Sequence, residues 1–113
     1  MLIYLNGVHN FIIIPKETLE ELGNPKFCQI MSNGESILLR YSKRKLAESI
    51  IIEYPLKSNS FGLHIRDEKN VQAIRKRYNF DNYIYAVDAV PLLNILAIDP
   101  HHAKKTEISN SGL

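Results

Sequence analysis

Tryptophan is absent from this chain of 113 residues, and cysteine occurs once. A single thiol closes no internal disulfide, which removes the small secreted, disulfide-stapled class and fits a reducing, cytoplasmic setting. Glycine and proline, five of each, are too scarce for a collagen-like or low-complexity chain. Apolar runs such as Ile50–Ile52 and Pro91–Leu93 fall far short of the roughly 18 residues of a membrane span. No basic stretch precedes the apolar start Leu2–Leu5, so neither a signal peptide nor a membrane partner is expected. What remains is ordinary globular material: hydrophobic types make up 45% and charged types 23%, with six Tyr and four Phe for bulk, enough to bury the core of one domain.

An excess of one charge is also missing. The net charge of +2 is too small to argue for a polyanionic partner, but it is unevenly spread. Residues 41–77 hold nine basic side chains against four acidic ones, a net of +5, between two mildly acidic flanks. Such a middle attracts phosphates or an acidic protein. Its densest cluster is Lys43-Arg44-Lys45. Arg75-Lys76-Arg77 lies on an expected helix, where 100° per residue spreads the three around the polar side.

Alternating and β-branched residues predict strands over Leu2–Leu5 and Val8–Ile14, with Asn6-Gly7 as a tight turn between them. Pro15 suits the first turn of a short helix that ends at Leu22-Gly23. A second hairpin is expected from Phe27–Met31 and Ser36–Tyr41 around Asn33-Gly34. Beyond Tyr41 two readings stand, a short helix through Leu46, Ala47 and Ile50 or a strand at Ile50–Ile52 stopped by Pro55. Lys57–Ser60 reads as a turn or linker. Phe61, Leu63 and Ile65 alternate as in a strand, Asp67 is placed to cap a helix with a Val71-Ile74-Tyr78 stripe, and Asn79 to end it. Phe80–Val87 reads as a strand. Pro91–Ile98 is either a helix opened by proline or a buried strand, because nearly every position is apolar. These elements predict an α+β, hairpin-rich domain over 1–100, with a subdivision at 1–56 and 61–100, and a flexible tail over 101–113.

Catalytic patterns are lacking too. There is no His-Glu-x-x-His, no paired cysteine and no Gly-rich phosphate loop, so no catalytic residue, metal or cofactor is assigned. Cys28, in a strand with Phe27 and Ile30, reads as a buried core thiol. Asp99-Pro100-His101-His102 reads as a polar turn, and His9 and His64 as exposed side chains.

The segment Asn10-Phe11-Ile12-Ile13-Ile14-Pro15-Lys16-Glu17-Thr18-Leu19-Glu20-Glu21-Leu22-Gly23, followed by a hairpin ending Ile37-Leu38-Leu39-Arg40-Tyr41, resembles the AbrB-like swapped-hairpin family of transcription regulators and antitoxins. The resemblance covers residues 8–41. It implies an intertwined homodimer of small hairpins that binds double-stranded DNA without catalysis and, in some members, a protein partner. Family members tend to carry Arg in the Pro-to-Gly helix where this chain has Leu19, Glu20 and Glu21. That leaves Lys16, Arg40, Lys43, Arg44 and Lys45 as the expected nucleic-acid contacts. Ile12, Ile14, Ile37 and Leu39 are the expected dimer contacts, since strands apolar on both faces in a small domain leave surface to cover. The alternative is a protein-interaction or structural module that does not bind DNA.

Overall fold

Burial decides the register of the first two strands. In the structure, a computed structural model that describes residues 1–6, 9–33, 35–54, 56, 62–81 and 83–106, β1 (Leu2–Asn6) and β2 (Phe11–Pro15) are antiparallel with Tyr4 facing Ile13 and Asn6 facing Phe11. A two-residue turn at Asn6-Gly7 would set His9 opposite Tyr4. The observed ladder sets an isoleucine there and moves the connection to residues 7–10, of which Gly7 and Val8 lie outside the described residues. Ile3, Leu5, Ile12 and Ile14 fill one face, Tyr4 and Ile13 the other, and all six are buried.

Pro15 then opens α1 (Lys16–Glu21), which buries Thr18 and Leu19. The Thr18 hydroxyl donates to the Leu2 carbonyl (2.8 Å), tying so short a helix to the sheet. Gly23, at φ +81, lets the chain turn back. The hairpin of β3 (Phe27–Ser32) and β4 (Ile37–Ser42) follows, Ile30 facing Leu39. Asn33 Oδ1 accepts from the backbone N–H of Glu35 and of Ser36, both at 2.9 Å, which shapes the turn; Gly34 is outside the described residues. Of the two readings after Tyr41 the strand is observed, as β5 (Ile50–Ile51) on the edge of β3.

The expected linker 57–60 lies outside the described residues. Beyond it β6 (Gly62–Arg66) pairs with β2, Ile65 facing Ile12. Asp67 caps α2 (Glu68–Tyr78) by accepting from Asn70 N (3.1 Å), Val71 and Ile74 are buried, and Asn79 ends the helix at φ 53. Asp67→Ala is expected to lower stability by about 1 kcal/mol. A thermal melt checks this, since a drop of about 4 °C is readily read in a domain of this size.

β7 (Ile84–Asp88) pairs with β1. Residues 90–98 are neither one helix nor one strand. They form a hairpin of β8 (Val90–Leu92) and β9 (Ile95–Ile98), reversed by Leu93-Asn94 alone. A 3-10 turn (Pro100–His102) leads to β10 (Lys104–Lys105) on β7. Within the expected tail, Lys104 and Lys105 are therefore bound into the sheet, and residues 107–113 lie outside the described residues. Thr106 N bonds to the Ile84 carbonyl (2.9 Å), and Lys105 Nζ sits 3.1 Å from Asp81 Oδ2 and 3.7 Å over the Tyr83 ring.

Among the described residues all pairings are antiparallel, in one sheet ordered β10-β7-β1-β2-β6 and a second ordered β5-β3-β4-β9-β8. One core joins them: Ile3, Leu5, Ile12, Ile14, Ile65 and Val87 from the first, and Cys28, Ile37, Leu39, Leu96 and Ile98 from the second, with Leu19, Val71 and Ile74 from the helices. The split at 1–56 and 61–100 does not make two units, because β2 pairs with β6 and β4 with β9 across it. Ile12, Ile14, Ile37 and Leu39, expected at a dimer contact, are 0–3% exposed within the single chain. Within the single chain each sheet covers the apolar face of the other.

Candidate nucleic-acid interface

β4 ends at Ser42, and the side chains of Lys43, Arg44 and Lys45 stand exposed on the loop that follows. Ser42 Oγ accepts from Arg44 N (3.0 Å), a local bond that bends the chain away from the sheet. The Ser42 carbonyl accepts from Lys26 N (3.0 Å), and Lys26 O in turn accepts from Ile52 N (2.8 Å). Lys26 thus joins the other three cations at one end of the second sheet. Its exposure there was missed because nothing in Asn24-Pro25-Lys26 announces that the start of β3 meets the end of β4. Arg66–Glu68 (2.7 Å), Arg77–Glu35 (2.8 Å) and Lys105–Asp81 (3.1 Å) are paired, while no ion pair among the described residues uses Lys26, Lys43, Arg44 or Lys45; Lys16, Lys69, Lys76 and Lys104 are likewise outside these pairs, and what distinguishes the four is their clustering. Glu48, at φ 51, is the one carboxylate in the same loop.

Arg40 lies two positions before Ser42 on the outer face of β4, between Gln29 and Ile95, and its Nε is buried without a hydrogen-bond partner among the described residues. Lys16 does not join this cluster. It lines a shallow groove with Leu19, Glu20, Asn24, Tyr54 and Leu56 beside α1.

The β8–β9 tip reaches the same end of the sheet. Tyr41 N donates to Asn94 O (2.9 Å) and Tyr41 Oη to Leu93 O (2.7 Å), clamping the tip alongside the last residues of β4. Leu93 there is 98% exposed with φ 56, and Leu92 and Val90 are also exposed. A two-residue hairpin turn calls for positive φ, which glycine or asparagine normally supplies. Here Leu93 takes the positive φ and Asn94 only follows it, so the one turn residue of the pair does not stand where it would announce the reversal.

Burial pushes the Cys28 thiol up to about 11, keeping it protonated at neutral pH. Native Cys28 should resist iodoacetamide at pH 8 at least a hundredfold better than the unfolded chain, as mass spectrometry would read. Because the folded value lies above the ordinary 9.0, this group's contribution to stability is complete below pH 9 and declines as the pH rises toward 11. Asp99 Oδ1 accepts from the backbone N–H of His101 (3.0 Å) and lies 2.9 Å from its Nδ1, bonds that hold the Asp99 carboxyl below its usual range and cap the 3-10 turn. His64 Nδ1 lies 3.1 Å from the Gly62 carbonyl and meets the Phe11 ring edge-on at 5.7 Å. No group of three or more His, Cys, Asp or Glu among the described residues could hold a metal ion.

Comparison with family models, with curated proteins and with solved structures finds no match to this chain.

Proposed function

We propose that the chain is a non-catalytic, DNA-binding protein of the transcription-regulator type, which holds the duplex through Lys26, Lys43, Arg44 and Lys45 with Arg40 behind them. The observation that supports this reading is the gathering of four exposed cations, none of them in an ion pair among the described residues, at one end of the second sheet. Contacts of this kind go to phosphates, which position a protein on DNA without reading bases. Four phosphate contacts release enough counterion to make log K fall with log salt at a slope of about −3.6. A fluorescence titration with a mixed-sequence duplex between 50 and 200 mM salt tests this, and no binding at tens of micromolar protein, or a slope near zero, would sink it.

A second reading is favoured by the outer face of the second sheet, where Met31, Leu38 and Ala97 form a partly exposed apolar row that ends on exposed Val90. That face suits a protein partner. Co-purification of a stoichiometric protein without nucleic acid supports it. No helix of the described residues is long and apolar enough to cross a membrane. The homodimer implied by the swapped-hairpin resemblance would exchange the β2–α1–β3–β4 segment between copies, remaking the β2/β6 and β4/β9 ladders across the pair. Sedimentation equilibrium at low micromolar concentration separates the two forms, giving 13.0 kDa for the closed single chain and twice that for the exchanged pair.

A further inference from the structure

We infer that Leu93, on the tip of the β8–β9 hairpin, is an apolar wedge that enters between base pairs of a DNA duplex and bends it. The inference rests on the DNA-binding reading and goes beyond it by naming how the duplex is engaged. Leucine is a poor choice for its position on two counts. A bulky residue at φ 56 is strained, and a leucine 98% exposed gains nothing from burial. Glycine would serve the turn better, so the side chain has to be useful in some other state of the molecule.

The tip is also held firmly. Two hydrogen bonds from Tyr41, one from its backbone and one from its hydroxyl, fix Leu93 and Asn94 against β4, about one strand spacing of 5 Å from the chain that leads into Lys43. An anchored apolar knob therefore stands next to unpaired cations. Phosphates gripped by Lys43, Arg44 and Lys45 would bring a groove over the tip, where leucine is a side-chain type that unstacks a base step. Single strands are a poorer fit, since they stack on aromatic platforms and the tip presents leucines. Addition of a strand from a protein partner is also disfavoured. Leu92 pairs with Ile95 across the two-residue turn, so the backbone of Pro91 faces outward from the edge and has no N–H to donate.

The test uses the full chain and a 20-base-pair mixed-sequence duplex labelled at both ends. Binding by the parent should raise end-to-end energy transfer. Leu93→Ala should abolish that rise and weaken binding about tenfold while leaving the salt slope unchanged, because unstacking is lost and the phosphate contacts are kept. Leu93→Gly should lose the bend while melting at a higher temperature than the parent, so that unfolding cannot explain the loss. Binding without a rise in transfer, or an equal rise with Leu93→Ala, overturns the wedge and leaves the DNA-binding reading in place. Absence of duplex binding by the parent overturns both. Parent binding to anionic phospholipid vesicles that is lost in Leu93→Ala, with no bending of DNA, overturns the wedge in favour of a lipid surface.

Discussion

Gly62→Ala is expected to destabilise the chain by about 3 kcal/mol, the upper end of what an added methyl costs in a packed site. A Cβ at this position would run into the Ile14 carbonyl oxygen and come within 2.7 Å of Pro15 Cα. Both are backbone atoms of β2, so no rotamer change relieves the clash. Either β6 moves off or the ladder opens, and the ladder from Gly62 to Arg66 is what holds β6 on the edge of the first sheet. Against a total stability of 5–15 kcal/mol for ordinary domains, the loss should lower the melting temperature by about 12 °C. A melt within 2 °C of the parent would show that the two strands do not approach so closely.

Replacing Lys43, Arg44 and Lys45 together by Ala should weaken duplex binding on the order of a hundredfold at 50 mM salt and cut the salt slope by about 2.7, leaving the share of Lys26. The melting temperature should stay within about 2 °C, because exposed and unpaired charges contribute little to stability. Affinity and stability are thereby separated in one variant. Equal binding by the variant and the parent would reduce the loop to a solvated charged face.

Local chemistry made part of the molecule legible. Asp67, the Val71-Ile74-Tyr78 stripe and Asn79 mark the beginning, the buried face and the end of α2, each through a property of its own side chain. The alternation around Asn33-Gly34 likewise marks the β3–β4 hairpin. Two elements were hidden for opposite reasons. Along Pro91–Ile98 nearly every residue is apolar, so period two cannot be told from period 3.6, and a leucine sits where a turn residue belongs. Lys104 and Lys105 have no apolar pattern at all, and their strand exists because β7 offers an edge. The basic triplet could be read directly, whereas its neighbours Lys26 and Leu93 arrive through hydrogen bonds to the Ser42 carbonyl and from the Tyr41 hydroxyl, partners 16 and 52 residues away.

The position of β1 sets the order of events in synthesis and folding. It lies between β2 and β7, with Tyr4 opposite both Ile13 and Ala86. One edge of β1 therefore waits until about 80 further residues have been made, and β4 waits in the same way for β9. Pairings this distant in sequence place the chain among slow folders, on the scale of milliseconds to seconds. During translation, unpaired strand edges and apolar faces from the first half are open to other chains and to chaperones. Circular permutation that opens the chain between β6 and α2 and links the present ends would bring β7 ahead of β1 in synthesis, and refolding of such a permutant would show how much of the barrier belongs to that one closure.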